Sequence, residues 1–342
     1  MPKRLSFPSV SLLLLLLLSL SWAYASPFVE RGPNLIVLPS PDKKIIKDLP
    51  IIAYRGLPVL GAHPLQPKTL KFKKQHLAAF RIEAARNFAD LMRMKLATPP
   101  PDKKRLKENF NGKEQHMLNA GLSGAVLEDR KWYALISRLA STTMTDEAYE
   151  KYMCKEKPCT AVDLKGKNKG FTQMWGGFGA NQFAARRAFS SFVDTELDKY
   201  LSWAKTIPAE PEAYFVGKLY LSPYLFDKGG FVVHVKPVSG GLLPTTGENL
   251  RTHPVFIART GKLPGVLVKV DEARAEKMVE HVRGKQLYYV YRAKLTVAGQ
   301  SYNPKTKQLN FSRLLFDQTI TSDTIEVFTD PELKDKLFDI PL

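Results

Sequence analysis

Two cysteines have the spacing that most directly implies chemistry. Cys154 and Cys159 are the only cysteines of the chain. In an oxidising compartment such a pair closes a small disulfide loop, which stabilises the fold by about 2–3 kcal/mol in the chain-entropy picture. A redox pair is less favoured because the spacing is not Cys-x-x-Cys, and a zinc site is disfavoured because no histidine lies close in sequence. The spacing therefore predicts a structural disulfide.

The other residue types that catalyse reactions form no recognisable motif. None of the six histidines has a second ligand at a spacing typical of metal sites, and the chain contains no Gly-x-Ser-x-Gly elbow. Paired carboxylates for glycoside cleavage assemble in space and leave no spacing in the sequence. We interpret His234, in a predicted apolar strand, as a hydrogen-bonded structural imidazole, with a catalytic role as the less favoured alternative. The sequence thus predicts no metal and no cofactor, assigns no catalytic residue, and favours a protein that is not an enzyme.

Basic residues are the strongest compositional signal. The chain has 51 Lys and Arg against 33 Asp and Glu, a formal net charge of +18. Residues 68–116 carry a net +8 and residues 151–187 a net +6. We assign an anion-binding patch to these two segments. Its members are Lys71, Lys73, Lys74, Arg81, Lys103, Lys104, Arg105, Lys107, Lys165, Lys167 and Lys169.

Such a charge excess attracts polyanions, and the attraction weakens as salt is added. The predicted partner is an anionic envelope component or an acidic protein, with nucleic acid a less favoured choice. A solvated basic surface that only promotes solubility is the alternative interpretation.

The amino-terminal segment predicts export. Lys3 and Arg4 precede an apolar run from Val10 to Leu20, and small residues follow at Ala23-Tyr24-Ala25. This order is typical of a signal peptide over residues 1–25, with cleavage between Ala25 and Ser26. An uncleaved anchor is the alternative, but the run is short for a membrane span. We therefore expect a periplasmic or secreted protein that has no stable membrane span after cleavage.

Composition divides the mature chain into three parts. Residues 26–67 contain eight prolines and are predicted to form an extended arm with short docking strands at Leu35–Leu38 and Ile51–Ile52. Residues 68–207 form a mainly helical basic region, in which 102–124 is predicted to be a surface loop. Asn181 is predicted to cap a core helix. Residues 208–342 form an α+β sheet domain.

In residues 208–342, apolar and polar side chains alternate as they do in strands. A helix capped by Asp271, with Ala275, Val279 and Val282 facing inward, separates two of the predicted strands. The predicted strands are 215–221, 231–235, 255–258, 266–270, 287–297, 309–316 and 324–328. The fold class is therefore α+β: a helical, basic amino-terminal half followed by a mostly antiparallel sheet with one packed helix.

Two short stretches carry a resemblance. Asn181-Gln182-Phe183 opens a helix, and Leu219-Tyr220-Leu221-Ser222-Pro223-Tyr224-Leu225-Phe226-Asp227-Lys228-Gly229-Gly230-Phe231 follows. Together they resemble an uncharacterised domain-of-unknown-function family of exported bacterial proteins, over roughly residues 170–236. The resemblance implies a bacterial, periplasmic home and no assigned activity.

Three functional hypotheses follow. The first is a non-enzymatic envelope protein that binds or scaffolds an anionic surface or an acidic partner through its basic half. The second is an envelope hydrolase of unrecognised type, which would need a pocket with convergent acids or histidines. The third is a structural or assembly protein whose exposed aromatic side chains bind a partner chain.

Overall fold

The computed structural model describes residues 32–60, 65, 74–110, 128–154, 175–177, 180–235, 240–241, 257–259, 265–310 and 314–342. Several sequence predictions fall outside these residues. They concern the signal peptide with Ala25 and Ser26, Cys159, and the patch members Lys71, Lys73, Lys165, Lys167 and Lys169.

The fold is α+β, as the sequence predicts. The described helices are α1 (Lys74–Leu96), α2 (Lys103–Asn109), α3 (Glu128–Thr143), α4 (Asp146–Met153), α5 (Gln182–Thr195), α6 (Leu197–Thr206) and α7 (Glu272–Val282). Six of the seven precede the long central strands of the main sheet, which confirms the helical amino-terminal half. Within the described residues no helix is long and apolar enough to cross a membrane.

The core helix α5 begins where its cap predicts. The Asn181 side chain accepts a 2.9 Å hydrogen bond from the Ala184 backbone amide, which satisfies one of the free donors of the first turn. Phe189 and Phe192 follow one turn apart and are fully buried. Trp175 packs against both rings and donates a 2.8 Å hydrogen bond to the Ser137 hydroxyl. The apolar residues that recur at helical spacing in this segment thus form the centre of the helical core.

Helix α2 corrects the first part of the predicted loop over residues 102–124, of which 111–124 lie outside the described residues. The Asp102 carboxylate caps it by accepting from the Arg105 backbone amide at 3.0 Å. Only Leu106 of the helix is buried, so the segment lacks the repeated apolar positions from which a helix is recognised. The Tyr133 hydroxyl donates to the Leu106 carbonyl at 3.0 Å, which ties α2 to α3.

The strands form two sheets. They are β1 (Asn34–Leu38), β2 (Leu49–Tyr54), β3 (Leu57–Leu60), β4 (Glu212–Leu219), β5 (Tyr224–Leu225), β6 (Gly230–Val233), β7 (Gly240–Gly241), β8 (Ile257–Arg259), β9 (Val266–Lys269), β10 (Leu287–Val297), β11 (Leu315–Ile320), β12 (Thr324–Phe328) and β13 (Lys336–Pro341). The ten-stranded sheet has the order β1-β2-β3-β4-β10-β11-β8-β7, with β12 paired to β10 and β13 to β12. The three-stranded sheet has the order β5-β6-β9.

Most pairs are antiparallel, and the exceptions are β3 with β4 and β11 with β8. The docking strands predicted in the proline-rich segment become β1 and β2, and β3 connects them to the main sheet. Strand β10 has the predicted bounds and buries Leu287, Tyr289, Tyr291, Ala293 and Leu295. It pairs with β4 over its first eight residues, and this pair is the centre of the sheet.

Two parts of the strand prediction are wrong. The apolar run predicts a strand over 309–316, but β11 begins at Leu315 and extends to Ile320. Pairing of Ala293 with Ile320 and of Val297 with Phe316 places the strand there, so tertiary contacts override the local pattern. Strand β13, which pairs with β12, has no counterpart among the predicted strands.

Candidate functional site

The basic patch is only partly described, and its described members fall into separate surroundings. Helix α2 carries Lys103, Lys104, Arg105 and Lys107, whereas Lys74 begins α1. Arg81, on α1, is half-buried beside the apolar side chains of β2 and β3, and burial lowers the pKa of its guanidinium to about 10. The structure therefore separates Arg81 from the cluster on α2.

Ion pairs hold two of the α2 lysines against the neighbouring helices. Lys103 Nζ lies 2.5 Å from Asp198 Oδ2 of α6, and Lys107 Nζ lies 2.6 Å from Asp194 Oδ1 of α5. Lys104 Nζ lies 3.9 Å from Glu108, and its side chain is 83% exposed. Acidic residues of α5 and α6 thus offset part of the positive charge of this helix.

A groove between α7 and the segment that follows β4 is the better-formed candidate site. One wall is the segment Tyr220–Phe226, and the other is α7 with the turn Arg283–Lys285. Its volume is about 960 Å³. We call it the aromatic groove.

Strand pairing explains why these two walls face each other. Leu219, the last residue of β4, pairs with Leu287, the first residue of β10. The chain therefore leaves β4 toward the small sheet at the same end at which it returns from α7 into β10. The Gln286 side-chain amide donates a 3.2 Å hydrogen bond to the Tyr220 hydroxyl across this junction.

Contacts with the small sheet fix the aromatic wall. The Tyr224 hydroxyl donates to the Val270 carbonyl at 2.8 Å, just before α7 begins. The Tyr224 ring meets the rings of Phe226 and Phe231 edge-on, with centroids 5.1 and 5.2 Å away. Gly230 allows β6 to approach β9 because a Cβ at this position would lie 2.3 Å from the Val268 carbonyl oxygen. The wall is thus held by Tyr224, while Phe226 projects into solvent.

The groove exposes large apolar side chains. Tyr220 is 70% exposed, Phe226 75% and Val279 43%. They are three of the six large hydrophobic residues that are exposed within the described part of the chain. Clustering of this kind marks interaction surfaces, whereas single exposed apolar residues are ordinary.

Val279 corrects the prediction that this residue faces inward. Ala275, Met278 and Val282 form the buried stripe of α7, at spacings of three and four residues. Val279 lies one position beyond Met278 and so turns away from the core toward the groove. Met278, which was not among the residues predicted to face inward, takes that place.

The groove has a charged rim. Glu272, Glu276 and Glu280 follow one another at intervals of four residues along α7, and all three are exposed. Arg283 and Lys285 lie in the turn that follows the carboxyl end of α7. Partial burial raises the pKa of the Tyr224 hydroxyl, and the nearby negative charges of Glu272 and Asp271 raise it further.

The described lining of the groove presents apolar and acidic side chains to a ligand. The Ser222 hydroxyl donates to the Pro223 carbonyl at 3.3 Å, and no histidine is among the described residues that line the groove. In the described ranges no three His, Cys, Asp or Glu side chains come together as metal ligands would. Aromatic rings, a valine and a row of carboxylates suit the binding of an amphipathic segment.

The histidines near the site have other surroundings. His234 is exposed just after β6, with its ring over Gly265, so the prediction that it is a structural imidazole in a strand is wrong. His281 Nε2 lies 3.1 Å from Asp335 Oδ2. The Thr329 hydroxyl donates to the same carboxylate, and these two hydrogen bonds lower the pKa of Asp335. Together they join α7 to the loop before β13.

Cys154 is half-buried and follows the last residue of α4. Its predicted partner lies outside the described residues, so the disulfide stays a prediction. The chain matches no protein-family model, no curated protein and no solved structure. The arguments about function therefore depend on the residues and geometry of the groove and of the basic patch.

Tyr220 and Phe226 lie in the stretch that carries the resemblance, but the sequence assigned them no role. A signal was present, since three aromatic residues surround Pro223 within seven positions. Proline is disfavoured in a central strand, and here Tyr220 lies in the connection after β4 while Tyr224 lies in the short edge strand β5. What the sequence does not show is that α7 lies opposite these residues.

Proposed function

We propose that the chain is a non-enzymatic binding protein, exported from the cytoplasm, that holds a segment of a partner chain in the aromatic groove. The observation that carries this proposal is the convergence of Tyr220, Phe226 and Val279, all exposed, on one groove. Burying one large apolar side chain contributes about 1.5–3 kcal/mol. Three such side chains supply a substantial part of the affinity of a peptide-sized ligand.

The framework around the groove supports the same proposal. Both walls are tied down by side-chain hydrogen bonds, from Tyr224 to Val270 and from Gln286 to Tyr220. A wall that is already ordered loses little conformational entropy when a ligand binds. The groove is therefore suited to binding without a large rearrangement.

A peptide-display selection tests this function because it does not require an identified partner. Peptides are selected on the native protein and then measured on the double variant Phe226→Ser/Val279→Ser. Loss of affinity of about tenfold or more is expected, because two apolar contacts are removed. The matched control is Val37→Ser/Phe183→Ser, which changes two exposed apolar residues away from the groove and should leave the affinity unchanged.

Two results would contradict the proposal. Selected peptides that bind the groove variant and the native protein equally well would show that they use another surface. Selection that enriches no peptide would show that the groove does not accept chain segments. The export part has its own test: the protein isolated from outside the cytoplasm should begin at Ser26.

Binding of an anionic surface through the basic half is a second candidate. The observation in its favour is that α2 exposes the Lys104 side chain, while the whole chain carries +18. Retention on anionic vesicles, compared with neutral ones across a salt series, measures this binding. The variant Lys104→Glu/Arg105→Glu should reduce retention without breaking the Lys103–Asp198 and Lys107–Asp194 pairs. Unchanged retention would remove this candidate.

A further inference from the structure

We propose that the aromatic groove selects a basic segment, in which apolar side chains enter the groove and lysine or arginine side chains meet Glu272, Glu276 and Glu280. This inference rests on the proposed function and names the chemistry of its partner. It depends on the rim of the groove, whereas the proposed function depends on its apolar walls.

The three carboxylates are available to a ligand. All three are exposed, and none of them takes part in an ion pair among the described residues. Like charges at intervals of four residues on a helix repel one another. A ligand that brings cations to this row relieves the repulsion and gains attraction at the same time.

The spacing of the row indicates which segments fit. Four residues of an α-helix rise by about 6 Å, so the row presents one carboxylate at each such step. Alternate residues of an extended chain are about 6.6–6.8 Å apart and point to the same side. An extended segment with cations at alternate positions can therefore follow the row, while its other side chains face Phe226 and Val279. Strand β5, an edge of the small sheet, lies along the same groove.

The contrast between local and total charge makes the inference specific. The whole chain carries +18, and its long-range field attracts acidic ligands. Along α7 the described lining of the groove carries three glutamates and no basic residue, and Arg283 and Lys285 follow only in the turn after the helix. A preference for basic ligands would therefore have to come from the local row, because the net charge of the protein predicts the reverse.

The test compares two labelled peptides. One alternates leucine with lysine, and the other alternates leucine with glutamate. Fluorescence anisotropy with the purified protein should show tighter binding of the lysine peptide, with an affinity that falls as salt is added. The variant Glu276→Gln/Glu280→Gln should weaken this binding about 2- to 30-fold, the range expected for two exposed ion pairs.

Matched controls separate this effect from a change in total charge or in folding. Asp317→Asn/Asp323→Asn removes the same charge from β11 and from the residue just before β12, outside the groove, and should leave the affinity unchanged. Glu272 is kept because an acid in the first turn stabilises α7. The groove variant should fold normally, since it removes a repulsive pair.

The remaining outcomes test the inference and the proposed function separately. If the glutamate peptide binds as well as the lysine peptide and loses that binding in Phe226→Ser/Val279→Ser, the inference is wrong. It is also wrong if the lysine peptide binds Glu276→Gln/Glu280→Gln as tightly as the native protein. In that case binding that is still lost in Phe226→Ser/Val279→Ser leaves the proposed function standing. If the lysine peptide binds Phe226→Ser/Val279→Ser as tightly as the native protein, the proposed function fails as well. A native dimer that this variant converts to a monomer would show that a second copy covers the groove, and would overturn the inference.

Discussion

The hydroxyl of Tyr152 donates a 2.7 Å hydrogen bond to the carboxylate of Glu196 inside the helical core. Glu196 stands between α5 and α6 and is only 3% exposed. Lys199 Nζ donates to its other oxygen at 2.8 Å and also pairs with Asp42 at 2.9 Å. The buried Glu196 carboxylate thus links α4, through Tyr152, and α6, through Lys199, to the loop between β1 and β2 that contains Asp42.

This network predicts a loss of stability in acid. Burial alone would raise the pKa of Glu196, but hydrogen bonds from Lys199, Tyr152 and Thr195 outweigh burial and lower it below 4.5. A lowered pKa means that the native state favours the charged form, so the contribution to stability is complete above pH 4.5 and is lost below it. Glu196→Gln should reduce the free energy of unfolding by about 1–3 kcal/mol at neutral pH.

Urea unfolding between pH 7 and pH 3, followed by tryptophan fluorescence, measures the effect. The stabilities of the native protein and Glu196→Gln should approach each other as the pH falls. Tyr152→Phe, which keeps the carboxylate, should cost about 1 kcal/mol and should keep the acid dependence. A constant difference between native and Glu196→Gln at every pH would contradict this account.

A second buried carboxylate predicts a larger effect. Asp90 Oδ1 accepts from Arg93 at 3.2 Å, and both Asp90 oxygens accept from Arg138 at 3.0 Å. Arg93 is fully buried, and burial lowers the pKa of its guanidinium to about 10 even though Asp90 raises it. Asp90→Asn should cost about 3–5 kcal/mol, because it removes the negative charge from beside a buried cation.

The control is an exposed ion pair. Lys336 Nζ lies 2.7 Å from Asp339, and both side chains are about two-fifths exposed. Asp339→Asn should change the free energy of unfolding by less than about 1 kcal/mol. If Asp90→Asn and Asp339→Asn shift the denaturation midpoint equally, burial does not make the Asp90 ion pairs more important for stability than the exposed pair.

The fold class could be predicted because several segments repeat one local signal many times. Helix α5 follows Asn181 with apolar residues at helical spacing, and β10 alternates over eleven residues. Helix α2 repeats no such signal. Its single buried residue and its ties to Tyr133, Asp194 and Asp198 come from other parts of the chain, so local sequence could not reveal it.

The candidate site was beyond prediction for the same reason. Its walls, residues 220–226 and 272–285, are far apart in sequence, and the pairing of Leu219 with Leu287 brings them together. Alternation predicts strands but does not say which strands are partners. Val279 illustrates the limit at one residue, because helical spacing fits it and Met278 almost equally well, and packing against the sheet decides between them.

The pair β4–β10 itself depends on a glycine. Gly217 lies opposite Tyr289, and a Cβ at Gly217 would lie 2.0 Å from Cζ of that ring. Tyr289 is 3% exposed, and burial raises the pKa of its hydroxyl to about 12. A Cβ at Gly217 would have to displace this buried ring, so Gly217→Ala should cost about 1–3 kcal/mol through overpacking.

Gly299→Ala is the matched control, because no atom lies within 4 Å of a Cβ at that position. It should change the free energy of unfolding by no more than about 0.5 kcal/mol. Thermal denaturation of both variants measures the difference. Equal melting temperatures would show that the ring of Tyr289 moves aside without loss.

The disulfide prediction connects the export signal to stability. If Cys154 and Cys159 are paired, neither thiol of the exported protein should react with an alkylating reagent under denaturing, non-reducing conditions, and both should react after reduction. Reduction should lower the free energy of unfolding by about 2–3 kcal/mol, because an open chain gains more entropy when it unfolds. Cys154→Ser/Cys159→Ser should unfold like the reduced protein and should not respond to reductant. Two reactive thiols in the native exported protein would refute the pairing, because a disulfide leaves no thiol for the reagent.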